Sequence, residues 1–386
     1  PPRSTLFPYT TLFRSAGATG FMVLSLRTDP VEEAIKADRI LTVAIILEQN
    51  GKPMATQLFM YYPGNSRAAM LDVPSETGLI IKSLNRVDRI DVLYNKKSPG
   101  TFLAEIASLT GAEIDWYLIL DEQGLSDLAD LLDGFTVFQT TPVATIVNDK
   151  PVRLPSGMVT LDGLKTIQYA SWVDPETPES ELVSRRQALF QAILRRIAEK
   201  HDFIDRDDVY PYIQHCFRSN LSPDSLGLLL GEFSKLEADR VVMQRITGAY
   251  RSVEGSLLLF PYYDGELAKD IVKQSLNALL NADSTAIADK VFTVEILNGT
   301  TSRGLAQKTA EIFQSFGYEV VSVGNAGSFD IEQTSIVDRY GDRVAAGTLA
   351  NVIRCKIIED DPGLAASPAD FVIILGKDFN GRNCVY

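Results

Sequence analysis

The sequence predicts an α/β protein in which a central β-sheet flanked by helices is followed by a second, smaller α/β unit. Two patterns support this fold class. Apolar runs rich in β-branched residues alternate with amphipathic helical stretches over most of the chain. The last part repeats the alternation on its own, over residues 291–380, after a small polar stretch at residues 281–290 that is typical of a linker.

The strands and helices of the larger unit follow from local signals. An apolar β-rich run at residues 40–47 ends at Asn50-Gly51, a dipeptide typical of a hairpin, and residues 55–62 return as its partner strand. Residues 124–132 have helical periodicity and stop at Gly134. The further elements predicted by the same signals are a short apolar run at 21–26, a helix at 99–109, a strand at 116–120, a long amphipathic helix at 181–200, a helical pair at 207–236 and a strand and helix at 255–280.

Turn and helix-stop signals also predict the elements of the smaller unit. A β run at residues 291–297 meets an Asn298-Gly299 turn, since both residue types tolerate positive φ. The helix that follows carries its apolar residues on one side up to Phe316 and stops at Gly317. A second β run begins at Glu319, which completes a strand–helix–strand pattern.

Composition and charge exclude several functional classes. The 386 residues carry a net charge of −13, and no basic stripe is present that could displace counterions from nucleic acid. The three cysteines have no C-x-x-C spacing, which argues against a zinc site or a disulfide framework. Only two histidines occur, His201 and His215, so a histidine-based catalytic triad or metal centre is not expected.

The first residues look foreign to the fold. Residues 5–15 read TLFPYTTLFRS, which resembles the translation of a sequencing-adapter oligonucleotide, so residues 1–15 are predicted to be an artefact. We therefore expect the natural start of the protein, with a membrane anchor, to lie before Phe21 and outside this chain.

Two sets of motifs resemble a known family. The frame LNGT…GLA…GYEV…GNAGSFD…LGKDF in residues 291–380 resembles the LytR C-terminal domain. Upstream, RVDRIDVLY, LTGAEIDWYLILDEQGLSDLADLLDGF, LPSGMVTLDGLKTIQYA and SRRQALFQAILRRI resemble successive segments of the LytR-CpsA-Psr domain, over residues 16–280. The resemblance implies a bacterial, extracytoplasmic protein of the cell envelope with a central sheet flanked by helices.

The resemblance also implies a reaction. Family members transfer a phospho-glycan from a polyprenyl pyrophosphate carrier to the cell wall or another envelope acceptor. Arginines hold the pyrophosphate and acidic residues hold a divalent metal, because a pyrophosphate leaving group needs cationic donors and a hard cation on oxygen ligands. The implied partner is a polyprenyl-linked glycan or another envelope lipid or glycan, and the implied cofactor is Mg²⁺.

This sequence departs from the family at most of those arginines. The arginine of the family's IPRDT motif falls on Gly64 or on Ser75, depending on the register. The arginine of the family's YVR motif falls on Ser171, and the first arginine of its R-x-x-R-Q element falls on Leu182. Since each charged contact is worth roughly 1.5–3 kcal/mol, losing three could remove many orders of magnitude of rate.

Other charged residues remain as candidates. The family's metal-binding aspartate is carried over onto Asp38, with Glu76 as a second metal ligand candidate, and the lysine of its KIN motif onto Arg89. The partner arginine of the R-x-x-R-Q element is Arg185 or Arg186. The ligand-binding candidates are Arg67, Arg89, Arg185, Arg186 and Gln187, with Arg39 as a further basic residue, and no catalytic residue is predicted.

Two functions stay open at this point. The first is envelope glycopolymer attachment by a protein with a degenerate active site, whose phosphotransferase activity is weakened or lost. The second is a non-catalytic module that binds an envelope lipid, a glycan or a protein partner. The arrangement of the remaining arginines decides between them: convergence on one point beside Asp38 favours a remodelled active site, and dispersal favours the binding module.

Overall fold

The computed structural model describes residues 29–139, 142–147, 150–173, 179–281, 292–360 and 369–385. Residues 1–15, the run at 21–26 and all but the first residue of the predicted linker lie outside these ranges. The helices of the described part are α1 (Pro30–Lys36), α2 (Gly100–Thr110), α3 (Glu122–Leu131), α4 (Gly163–Ser171), α5 (Glu179–Glu199), α6 (His201–Ile204), α7 (Tyr210–His215), α8 (Pro223–Phe233), α9 (Glu266–Leu280), α10 (Leu305–Ser315) and α11 (Arg343–Val352).

The strands belong to several sheets of different size. Those of the described part are β1 (Leu41–Gln49), β2 (Lys52–Tyr62), β3 (Arg67–Asp72), β4 (Gly78–Ile81), β5 (Arg86–Arg89), β6 (Trp116–Asp121), β7 (Phe135–Gln139), β8 (Val143–Val147), β9 (Lys150–Leu154), β10 (Gly157–Leu161), β11 (Arg218–Ser219), β12 (Val242–Arg245), β13 (Gly248–Val253), β14 (Ser256–Pro261), β15 (Thr293–Asn298), β16 (Glu319–Asn325), β17 (Ser335–Asp338), β18 (Ile357–Asp360) and β19 (Phe371–Leu375).

The main sheet has six strands in the order β11-β6-β1-β2-β3-β12. Strand β1 runs parallel to β6, and β3 runs parallel to β12, while β2 is antiparallel to both β1 and β3. The carboxyl ends of β1, β3, β6 and β12 therefore lie along the same edge of the sheet. We call this the carboxyl edge, and the opposite one the amino edge.

The hairpin that starts the sheet confirms the local prediction. Asn50 and Gly51 have φ of 53° and 75°, so the turn has the left-handed backbone that these two residues accept at little cost. Most positions of β1 and β2 are buried on both faces of the sheet. Both strands are therefore central, which explains their continuous apolar runs.

Each face of the main sheet carries its own apolar core. One face packs against α3, α4, α5 and α8, and its aromatic residues include Phe59, whose ring lies 4.9 Å from that of Phe233. The other face packs against α2 and α9, and this core continues into the smaller unit. The predicted central sheet flanked by helices is confirmed.

The smaller unit has a five-stranded sheet in the order β16-β15-β19-β17-β18, with α10 and α11 contributing to its core. It docks on the larger unit through α9 and β12. Arg382 forms a 2.5 Å salt bridge to Asp270 on α9, and a Cβ at Gly317, after α10, would lie 2.9 Å from the Met243 carbonyl oxygen. The predicted second α/β unit is confirmed. In the ranges that the structure describes, no helix has the length and hydropathy needed to cross a bilayer.

Candidate functional site

Polar side chains collect at the carboxyl edge of the main sheet. Glu48, Asp121, Asp72 and Arg245 lie at or next to the last positions of β1, β6, β3 and β12. Register confirms that they are neighbours, since Glu48 pairs with Asp121 and Asp72 with Arg245. The carboxyl ends of parallel strands are the usual place for ligand sites in open α/β sheets. We therefore take this edge as the candidate site.

One half of the site is a buried charge network around Glu48. Glu48 is only 4% exposed. Its carboxylate accepts a 2.5 Å hydrogen bond from Arg218 Nη2 and a 2.6 Å hydrogen bond from the Tyr94 hydroxyl. Arg218 Nε also lies 4.0 Å from the carboxylate of Asp121. Burial and the neighbouring carboxylate raise the pKa of Tyr94, so the phenol keeps its proton and acts as a donor. A single guanidinium thus bridges the ends of β1 and β6.

The other half is built around Asp72, which is 4% exposed. Its carboxylate accepts a hydrogen bond from Gln57 Nε2 at 2.5 Å. Burial raises the pKa of Asp72 to about 7, and the charge of Glu76 adds to this rise. The positive charges of Arg186 and Arg245 lower the pKa and so oppose it. Asp72 therefore has a pKa close to neutral pH, which the charges of two arginines partly offset.

Helix α5 delivers two of the predicted candidates to this half. Gln187 Nε2 donates to the carbonyl oxygen of Gln244 on β12 at 2.9 Å. Arg186 Nε lies 3.4 Å from the Ala170 carbonyl oxygen and acts electrostatically on Asp72. Arg186 and Gln187 thus reach the carboxyl edge.

Arg185 has a different environment. It is 6% exposed, its guanidinium lies 5.8 Å from the ring centre of Tyr169 and 5.2 Å from that of Trp172, and it donates to the Trp172 carbonyl oxygen. These contacts tie α5 to the end of α4 through stacking on aromatic faces. Arg185 is part of the packing between two helices, and the neighbouring Arg186 is the arginine that lies at the site.

Arg89 and Glu76 lie on the far side of the edge, by the hairpin of β4 and β5. Arg89 forms a salt bridge with Asp91, with Nη2 2.6 Å from Oδ2, and is also influenced by the charge of Glu76. Glu76 accepts a 3.2 Å hydrogen bond from the hydroxyl of Tyr250 on β13. The side chain of Arg89 borders a cleft of about 500 Å³ between the two hairpins.

Asp38 and Arg67 lie at the amino edge instead. Asp38 precedes β1 and accepts a 2.6 Å hydrogen bond from the Tyr62 hydroxyl, and Tyr62 pairs with Arg67 at the start of β3. The Gln57–Asp72 pair lies five residues from the Tyr62–Arg67 pair along the same two strands, which corresponds to about 17 Å. Because Glu76 follows the far end of β3, a single metal ion cannot bind both Asp38 and Glu76.

The structure shows what the residues at the replaced arginine positions do. Ser75 donates to the Pro53 carbonyl oxygen at 2.7 Å near the carboxyl edge, whereas a Cβ at Gly64 would meet Asp38 and Tyr62 at the amino edge. Ser171 donates back to the Ile167 carbonyl oxygen within α4, and Leu182 is half-buried on α5. None of these side chains brings positive charge to the site.

The family resemblance predicts a Mg²⁺ ion with Asp38 and Glu76 as its candidate ligands. Within the described ranges, no group of three or more His, Cys, Asp or Glu side chains is placed to hold an ion. At the carboxyl edge the Arg218 guanidinium already lies on Glu48, and Asp72 holds a proton over much of the acidic range. The predicted Mg²⁺ stays a prediction, and no chemical step is assigned to it.

Four residues of the site were not predicted from the sequence: Glu48, Asp72, Arg218 and Arg245. Glu48 and Asp72 could have been found, because each is an acidic residue at the end of an apolar run that predicts a buried strand. Arg218 and Arg245 carry no local signal. Arg218 meets Glu48 across 170 positions of sequence.

Comparisons with known proteins agree with this architecture. Residues 50–276 match the LytR_cpsA_psr family, and residues 292–379 match a domain described as LytR cell envelope-related transcriptional attenuator. Among curated proteins, no sequence matches this chain.

Solved structures with the same fold include TagV of B. subtilis, at 16% identity and a TM-score of 0.54, covering 62% of this chain and 98% of that one. A protein from Enterococcus faecalis, EF0465, described as a transcriptional regulator, has 16% identity and a TM-score of 0.53, with 63% and 90% covered. TagT bound to LI-WTA has 15% identity and a TM-score of 0.51, with 64% and 92% covered. Since the family match spans more than half of the residues, this chain belongs to the LytR_cpsA_psr family.

Proposed function

We propose that this protein acts outside the cytoplasm in attaching glycopolymers to the cell envelope, with phosphotransfer that is weak or lost. Family membership supports the envelope setting. Among the proteins of similar fold, TagT was solved with LI-WTA, a wall teichoic acid ligand, which supports a glycopolymer as the ligand class here. A polyprenyl carrier for that glycopolymer is what the family resemblance implies.

One observation carries the catalytic part of the proposal: two arginines at the carboxyl edge are already paired with carboxylates. Arg218 is paired with Glu48, and Arg89 with Asp91. Transfer of a phosphoryl group needs donors aimed at charge that develops on the departing pyrophosphate. If Arg218 turned to such a ligand, it would leave the buried Glu48 charge without its guanidinium, which costs several kcal/mol.

The same pairing favours the second function, binding without transfer. A glycan presents hydroxyl groups, which can use both carboxylate acceptors and guanidinium donors while the ion pairs stay intact. A pyrophosphate needs an excess of positive charge. A site in which two arginines are held by carboxylates is therefore better suited to hold a glycan, or a polar segment of an envelope protein, than to cleave its phosphate linkage.

The test measures binding and turnover separately. Purified protein is incubated with a polyprenyl pyrophosphate-linked glycan and Mg²⁺, and both donor binding and release of polyprenyl phosphate are followed. We expect binding that is weakened by Arg186→Ala or Glu76→Gln, without measurable release.

Asp38→Asn is the matched control, since Asp38 lies at the amino edge and is exposed. Clear release that is lost in Glu76→Gln and kept in Asp38→Asn would show an active site at the carboxyl edge and overturn the inactive reading. Release that depends on Asp38 instead would move the site to the amino edge.

A further inference from the structure

A basic segment borders the candidate site. Residues 78–97, which form β4, β5 and the turn after them, contain five Lys or Arg and two Asp residues, a local balance of +3 in a chain of net charge −13. The five cationic residues are Lys82, Arg86, Arg89, Lys96 and Lys97. Lys82, Lys96 and Lys97 are all exposed.

Apolar side chains share this surface. Ile80 is 74% exposed, Leu84 44% and Val92 43%. Leu79 and Ile81 on the same strand pack inward, so the alternation of a strand turns Ile80 to solvent, where a polar residue is the usual choice.

Apolar and charged residues of the hairpin line one cleft. Ile80 pairs with Val87 across the hairpin, and Val87 and Val92 line the same cleft as Arg86, Lys52 and Glu254. We name the exposed apolar and basic residues of segment 78–97 the hairpin patch and define it by Ile80, Leu84, Val92, Lys82, Arg86, Lys96 and Lys97. It adjoins the carboxyl edge, because Glu76 immediately precedes β4.

We propose that the hairpin patch docks on the surface of an anionic phospholipid bilayer. Charge complementarity selects this occupant: lysines near an anionic surface are attracted to it, and exposed aliphatic side chains enter the boundary between headgroups and acyl chains. The remainder of the chain is strongly acidic and is repelled by the same surface, so the protein docks with this side facing the lipid.

The orientation deepens the proposed function and rests on it. A polyprenyl-linked glycan has its phosphate groups at the headgroup level of a membrane. Docking through the hairpin patch places Glu76 and the carboxyl edge beside that level. The lipid-linked ligand then reaches the candidate site without leaving the bilayer.

The experiment is sedimentation of the full chain with vesicles that contain no polyprenyl lipid. One set is an equal mixture of phosphatidylglycerol and phosphatidylcholine, and the other is phosphatidylcholine alone. We expect partition into the anionic vesicles only, with a marked decrease as salt is raised. Ile80→Ser/Leu84→Ser and Lys82→Glu/Lys96→Glu/Lys97→Glu should each lower the partition coefficient about tenfold or more.

Two variants serve as matched controls. Val321→Ser/Val323→Ser changes two aliphatic residues that are each 40% exposed on β16, and Lys36→Glu/Lys273→Glu/Lys308→Glu makes the same change of net charge at other exposed sites. Partition that persists in the controls and falls in the patch variants supports the proposal. Absence of partition, equal partition into phosphatidylcholine, or equal loss in the controls overturns it.

The failure of this proposal and that of the proposed function can be told apart. Binding of the polyprenyl-linked donor is measured in detergent, where no bilayer is present. If donor binding is intact and vesicle partition is absent, only the docking proposal fails. If vesicle partition is present and the donor does not bind, the ligand assignment of the site fails instead.

Discussion

The buried carboxyl group of Asp72 should make the stability of the protein depend on pH in a direction opposite to that of a salt-bridged aspartate. Burial raises its pKa to about 7 from an ordinary value of 3.8. Because the folded state holds the proton more tightly than the unfolded state, the contribution of Asp72 to the free energy of unfolding is highest below about pH 4. This contribution falls as the pH rises to about 7. At about 1.4 kcal/mol per pKa unit, the whole effect is about 4 kcal/mol.

Asp72→Asn removes the titration and keeps the shape of the side chain. At pH 5 the unfolded chain is already ionised at this position while the folded chain is protonated, so about 1.5 kcal/mol of the penalty already applies. The remaining penalty of about 2.5 kcal/mol appears between pH 5 and pH 8. We therefore expect the variant's advantage in free energy of unfolding over the wild type to grow by about 2.5 kcal/mol across that range.

The assay is urea-induced unfolding followed by circular dichroism at pH 5, 6, 7 and 8. Asp208→Asn is the control, since Arg206 lowers the pKa of the exposed Asp208 and that group is ionised in both states throughout this range. The control should show a constant difference from the wild type. A difference in free energy of unfolding between Asp72→Asn and the wild type that stays constant, or that shrinks as the pH rises, would refute the reasoning.

Two further predictions concern packing. Gly124→Ala should lower the free energy of unfolding by more than about 2 kcal/mol, because its Cβ would lie 2.2 Å from the Cys216 carbonyl oxygen. Gly347→Ala, whose Cβ would have no atom within 4 Å, should raise the free energy of unfolding by up to about 1 kcal/mol. Urea titrations measure both, and equal effects would contradict the packing argument. Arg382→Ala should cost about 2–3 kcal/mol, because the mostly buried Arg382 guanidinium pairs with the partly exposed Asp270 on α9. The docking of the two units should loosen, seen as faster proteolysis between them. Arg343→Ala, which removes an exposed pair, should cost less than about 1 kcal/mol, and a similar cost for both would contradict the docking role.

Local signals in the sequence were sufficient for most of the secondary structure. The Asn50-Gly51 turn, the stop at Gly317 and the long helix α5 follow from backbone preferences and periodicity that act over a few residues. The fold class follows from their order along the chain, whereas the replacement of the family's arginines stays a prediction from the motifs.

The site required the tertiary structure, because sheet order is set by contacts that are distant in sequence. Asp38 follows an amphipathic helix and precedes a strand, and nothing local indicates which edge of the sheet it joins. Its place before β1 and the hydrogen bond from Tyr62 put it at the amino edge, away from Glu76.

Adjacent residues can also have opposite roles for reasons that only packing reveals. Arg185 and Arg186 are adjacent in sequence, yet the first is buried against Trp172, whereas the charge of the second lowers the pKa of Asp72. The sequence by itself determined the elements of secondary structure and the fold class. Only the tertiary structure decided which charged groups meet, because burial and long-range pairing set both their neighbours and the energy of their charges.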